Sequence, residues 1–194
     1  MKLLQLDPCH AFKREYADSV VTLVDQYEWT KEQLFHYDAF IIPEFVDQEF
    51  LWERRSWIEQ FLQKGKVVFF FGHLFKKWLP EVPPFMPKKI QHYADYEVMR
   101  CEGSPIFKRV NWEDVVYKKG VAGFFARGYY PVSSQTEALL RFRSGEVITF
   151  IDRSSTKGTL FVHAGRNLFD LRFDTTSGVT IYEELIAWLK EEIR

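Results

Sequence analysis

Cysteine is scarce in this chain: Cys9 and Cys101 are the only two among 194 residues, and they stand far apart. A disulfide framework is therefore not expected, and two reduced thiols fit a cytoplasmic protein. Neither sign of charge dominates. The 26 basic and 27 acidic residues leave a net charge of −1, which removes the electrostatic case for nucleic acid. Long apolar runs are missing as well. A stretch such as Val67-Val68-Phe69-Phe70-Phe71 falls far short of the ~18 residues that span a bilayer. The opening Met1-Lys2-Leu3-Leu4-Gln5 runs straight into Asp7 and Pro8, without the apolar stretch of a signal peptide. Neither a membrane nor a nucleic-acid partner is expected, and no internal repeat appears.

Aromatic residues are abundant. Nineteen Phe, nine Tyr and six Trp make 18% of the chain. A chain of this size can bury about 70% of its unfolded surface, so a single domain over residues 1–194 with an aromatic core is expected. Residues 2–6 read as a strand. Phe12, Tyr16, Val20, Leu23, Val24 and Tyr27 then share one face of a 3.6-residue period, which predicts a helix. Residues 39–43, an apolar run after Tyr37-Asp38, predict a buried parallel strand. Asp47 caps a predicted helix that reaches Lys64, Gly65 stops it, and residues 67–71 form the next buried strand. Four prolines place residues 78–90 in a surface loop. Further strands are expected near 96–101, 121–126, 147–151 and 159–163. A final amphipathic helix carries Ile181, Leu185, Trp188, Leu189 and Ile193 on one face, with Thr180 and Glu183 as a capping box. The pattern is α/β.

In an open α/β sheet, ligands collect beyond the carboxyl ends of the strands. The residues at those positions include Asp7, Cys9 and His10, then Glu44 and Phe45, then His73, Arg127 and Tyr129, and finally His163 and Arg166. His73 ends the run 67–73 on a Gly-His turn, where a strand-to-helix elbow presents one side chain to a cleft. An imidazole there suits general acid–base work or the capping of a loop carbonyl. His163 follows an apolar strand and precedes Gly165, with the same two readings open. Cys9 and His10 are adjacent and point apart, so they make a poor nucleophile pair. No metal-ligand spacing, phosphate loop or dinucleotide fingerprint is present, so no cofactor is expected. A composite metal site from Asp7, Glu44, His73 and His163 stays open.

Residues 37–43, then the capped helix, then Leu62-Gln63-Lys64-Gly65-Lys66 and the strand ending Gly72-His73 resemble the core of the class I glutamine amidotransferase-like superfamily. The likeness is nearer to its trehalose-utilisation-type, non-amidotransferase branch. Ser104-Pro105-Ile106-Phe107 resembles a His-Pro-Ile segment of such proteins, and residues 145–151 with 158–162 resemble their paired late strands. The likeness spans about residues 38–193. It implies a three-layer, flavodoxin-like domain with a mostly parallel sheet, some antiparallel late strands and a C-terminal amphipathic helix. It also implies a second strand between the first helix and Ala39, which this sequence does not clearly show.

The departures from that family bear on function. The elbow that holds a nucleophilic cysteine in amidotransferases reads Phe71-Gly72-His73-Leu74-Phe75 here, and His163 is followed by Ala164-Gly165 instead of Pro-Glu. An imidazole cannot form the thioester that glutamine hydrolysis needs, so glutaminase activity is not expected. Three readings follow. The first is a binding domain for a small polar or anionic metabolite, or a partner, with Asp7, His10, Phe45, Arg127, Tyr129 and Arg166 around the ligand. The second is a hydrolase or isomerase with His73 or His163 as acid or base and Glu44 as partner. The third is an interaction protein, a homo-oligomer among the forms it could take, with an aromatic surface.

Overall fold

The computed structural model describes residues 1–9, 20–117, 120, 122–134 and 136–194. Strands β1 (Leu3–Asp7), β2 (Val21–Asp25), β3 (Ala39–Ile42) and β4 (Val67–Phe71) run parallel, in the spatial order β2-β1-β3-β4. Beyond β4 the sheet continues through β10 (Thr159–His163), β9 (Val147–Asp152), β8 (Glu137–Phe142) and β6 (Val98–Arg100). β10 is parallel to β4, and the last three strands join antiparallel. A two-strand ribbon of β5 (Met86–Pro87) and β7 (Gly128–Tyr129) stands apart.

Every residue of β3, β4 and β10 is buried, which requires cover on both faces of the sheet. Residues in register across parallel strands share a face, so the ring contacts identify each cover. Phe40 meets Trp29, which stands before the short helix α1 (Lys31–Leu34) and meets Trp57 of helix α3 (Arg55–Gln63). Phe69 and Phe161, in register with each other, both meet Trp188 of helix α5 (Gly178–Glu192) on the opposite face. The result is a three-layer α/β domain with a mostly parallel sheet. None of the helices among the described residues is long and apolar enough to cross a membrane.

Several elements differ from the expectation. Phe12 and Tyr16 lie outside the described residues. Leu23 and Val24 belong to β2, Val20 stands just before it and Tyr27 in the turn after it, and none of the four is in a helix. The run Val20-Val21-Thr22-Leu23-Val24 is mostly β-branched, and its backbone pairs along all of β1; that pairing overrides a side-chain spacing that also fits a helix. This strand is the one that the sequence did not clearly show before Ala39. The helix after Asp47 divides into α2 (Gln48–Glu53) and α3, because the Arg54 N–H bonds to Leu51 O and tightens the turn there. Asp47 caps α2 as expected, accepting from the Glu49 and Phe50 N–H groups. Of the strand expected over 121–126, residues 122–126 hold only one isolated bridge, from Ala126 to Gly165. α5 begins at Gly178, before Thr180, so the expected capping box does not form.

Candidate functional site

Three neighbouring parallel strands end side by side, and the residues just past them converge. β3 leads into Pro43-Glu44-Phe45, β4 into Gly72-His73, and β10 into Ala164-Gly165-Arg166. Gly72 has φ +107°, and a Cβ added there would lie 3.1 Å from both Cα and Cβ of Glu44. A side chain at this position would crowd Glu44 and strain the backbone, so the lack of one favours the close approach of the two strand ends. With residues 123–127, the end of helix α4 (Trp112–Val116) and the 3-10 segment Leu168–Phe173, they enclose a cavity of about 1090 Å³. That is the size of a site for a drug-sized ligand or a little more.

The loop carrying His73 is held from below by two polar side chains. Gln48 is buried; its amide donates to His73 O and its carbonyl accepts from the Phe75 N–H and from Trp78 Nε1. Tyr130, 1% exposed, donates its hydroxyl to Gly72 O at 2.7 Å and accepts from the Leu74 N–H at 3.1 Å. Burial raises the Tyr130 phenol well above its ordinary value, so it stays a donor. Tyr130→Phe leaves a buried carbonyl and a buried N–H unpaired. We expect it to lower the unfolding free energy by about 2 kcal/mol, read from urea denaturation. A change within about 0.5 kcal/mol would mean that this clamp contributes nothing.

The His73 ring stacks on Phe85, with centroids 3.8 Å apart and planes 18° apart. Burial, and then the charge of Arg127, lower its pKa, so the imidazole is neutral at physiological pH. Burial pushes the Glu44 carboxyl up, opposed by hydrogen bonds from its own N–H and from the Asn167 N–H at 2.7 Å. Asp170 also raises Glu44 and Arg166 lowers it, so these three charged groups act on one another across the cavity wall. Arg127 donates its Nε to Gly123 O at 3.0 Å. Its Nη groups, like the whole guanidinium of Arg166, have no hydrogen-bond or ion-pair partner among the described residues.

Of the residues expected at the site, Glu44, Phe45, His73, Arg127 and Arg166 line the cavity. His163 does not. It is wholly buried, with Nδ1 2.7 Å from Thr149 Oγ1 and Nε2 3.3 Å from Phe125 O. A carbonyl can only accept, so Nε2 carries the proton and Nδ1 accepts from the Thr149 hydroxyl. Burial brings its pKa down to about 3, outweighing the Phe125 hydrogen bond. Wholly buried with both nitrogens hydrogen-bonded, His163 holds a structural position. It also cannot serve the composite metal site, and no group of three or more His, Cys, Asp or Glu among the described residues could hold a metal ion. Asp7 lies off the cavity, its carboxylate accepting from the Cys9 N–H; Tyr129 pairs with Met86 in the small ribbon. His10 lies outside the described residues.

The aromatic residues sort sharply. Trp29, Trp78 and Tyr130 are buried although they stand outside the helices and the main strands, while Phe124, in the stretch expected to form a strand, is 67% exposed. Phe45, Phe75, Phe124 and Phe173 are the exposed phenylalanines among the described residues, and all four line the cavity. Phe45 is 91% exposed and holds φ +68°, a conformation that costs a bulky residue of the order of 1–3 kcal/mol. Gln48, Asp170 and Phe173 were not anticipated from sequence, and no motif marked them.

No protein-family profile matches the chain, and no curated protein sequence matches it. Among solved structures it is similar to the mmIFT52 N-terminal domain, with a TM-score of 0.58 at 14% identity over 97% of this chain and 96% of that one. It is also similar to cytoplasmic protein STM1381 from Salmonella typhimurium LT2, with a TM-score of 0.53 at 12% identity over 96% of this chain and 99% of that one. At such identities the likeness is one of fold, and the α/β architecture extends across nearly the whole of each of these chains.

Proposed function

We propose that this chain is a glutamine amidotransferase-like domain without glutaminase chemistry, and that it binds a small ligand with a negative charge in the cavity at the carboxyl edge of its sheet. One observation carries the reading: all the exposed phenylalanines among the described residues gather at a cavity that also holds Arg127 and Arg166, neither of which is in an ion pair among the described residues. Solvent-exposed aromatic side chains concentrated around a mostly apolar concavity that carries a few charged groups are the signature of a binding site. The residue at the elbow is His73, and neither Cys9 nor Cys101 lines the cavity, so no thiol is placed for acyl transfer.

A thermal-shift series with small carboxylates, phosphates, sugars and divalent cations tests this on the wild type and on Phe124→Ser. Binding to the native state raises the melting temperature by mass action. We expect anionic compounds to raise it in the wild type and to lose most of that effect in the variant. Equal shifts in both proteins, or none across the series, would overturn the reading.

A second reading draws on Glu44 and His73 together. Burial favours the uncharged form of each at the same cavity, and titratable groups perturbed by burial in a cleft are candidates for acid–base work. A hydrolase or isomerase of that kind would turn over one of the binding compounds and lose turnover in His73→Ala.

A further inference from the structure

We infer that the ligand is an amphipathic carboxylate, with an aromatic body seated among Phe45, Phe75, Phe124 and Phe173 and the carboxylate received by Arg127. This rests on the reading of the cavity as a ligand site and names the chemistry that the site selects. A sugar or a bare inorganic ion would leave four phenyl rings in water, whereas a flat apolar body covers them. The strained backbone at Phe45 points the same way. A left-handed aromatic residue that is almost wholly exposed contributes nothing to the core, so its phenyl group is held out for contact.

The two arginines are not equivalent as receivers of the charge. Arg166 lies close enough to Glu44 to act on its ionisation, and Asp170 acts on the same group, so its surroundings already carry negative charge. Arg127 has no carboxylate partner among the described residues. Its Nε is fixed to Gly123 O, which orients the guanidinium, and the Nη pair has no partner among the described residues. An oriented guanidinium matches the two oxygens of a carboxylate. The neutral His73 ring beside it adds no competing positive charge.

A free aromatic acid and the C-terminal residue of another polypeptide share this chemistry, and the test has an arm for each. Isothermal titration of the full chain uses N-acetylphenylalanine against its neutral amide, and a hexapeptide ending in phenylalanine against the same peptide amidated. The acid is expected to bind about tenfold more tightly than the amide. Arg127→Gln should remove that preference and leave amide binding within about twofold, showing that the apolar part of the site is intact. Phe75→Ser should weaken acid and amide alike. Tighter binding of the peptide acid than of the free acid assigns the site to a chain terminus, and the reverse assigns it to a small molecule; both support the inference.

Equal binding of acid and amide to the wild type overturns the inference while leaving the cavity a ligand site, provided Phe75→Ser weakens both. An acid preference that survives Arg127→Gln overturns it too. If no probe binds at 10 mM, on the order of the weakest affinity worth assigning, the inference is wrong. The broader reading then stands or falls on the thermal-shift series alone.

Discussion

Acidification from pH 7 to pH 4 will remove about 3 kcal/mol of folding stability through His163 alone. The imidazole has a pKa of about 3 in the folded chain and about 6.5 when unfolded. Between those values the unfolded state binds a proton that the native state refuses. The stability held by neutral His163 is therefore complete above pH 6.5 and drains away as the pH falls towards 3. Asp38, Glu146, Asp152 and Glu192 have lowered pKa values and act in the same direction at the lower end of that range. Glu44, whose carboxyl is raised, acts in the opposite sense. A difference measurement isolates the histidine. His163→Gln keeps a donor for Phe125 O and an acceptor for the Thr149 hydroxyl but has no proton to gain. Urea denaturation at pH 7 and pH 4 should show the wild type losing about 3 kcal/mol more than the variant. Parallel losses would place the histidine in contact with solvent and contradict its structural role.

Gly165→Ala is expected to cost about 4 kcal/mol, the range reserved for real steric conflict, and to abolish ligand binding. A Cβ at this position would lie 1.7 Å from Phe125 O and 2.8 Å from His163 Nε2, and both are fixed in buried surroundings. Neither is the free end of a flexible side chain that could swing aside. The backbone carrying Phe125 must retreat, which breaks the bridge from Ala126 to Gly165 and the hydrogen bond to His163. It also draws Phe124 and Arg127 away from the cavity that they line. Stability by denaturation and probe binding by titration should fall together. A variant of wild-type stability that still binds would mean that residues 123–127 do not form this wall in solution.

Legibility varied with the physics of each element. β4 could be read because five consecutive apolar residues between glycines can only be a strand buried on both faces. β2 could not, because Val20, Leu23, Val24 and Tyr27 satisfy a helical spacing, and only pairing with β1 decides between the alternatives. β8 went unrecognised for a similar reason. Glu137-Ala138-Leu139-Leu140-Arg141 is composed of good helix formers, and its antiparallel partner β9 holds it extended. At the site, the rule that ligands sit past strand ends located Glu44, Phe45, His73 and Arg166, because three adjacent strands do deliver them to one place. Strand position does not say which way a side chain faces. His163 pairs in register with Phe71 and turns under Phe125, towards Thr149 and away from the cavity. The exposure of Phe124 was equally hidden, since a Gly-Phe-Phe-Ala stretch reads the same whether one ring or both are buried.

We propose that this protein meets its ligand in the cavity past β3, β4 and β10. Backbone amide shifts, recorded on the isotopically labelled chain during titration with N-acetylphenylalanine, test it most directly. We expect the largest perturbations on Glu44 and Phe45, on residues 72–75, and on residues 123–127. Perturbations that instead gather at the shallow groove around Met99 and Arg141, or that spread evenly over the surface, would contradict it.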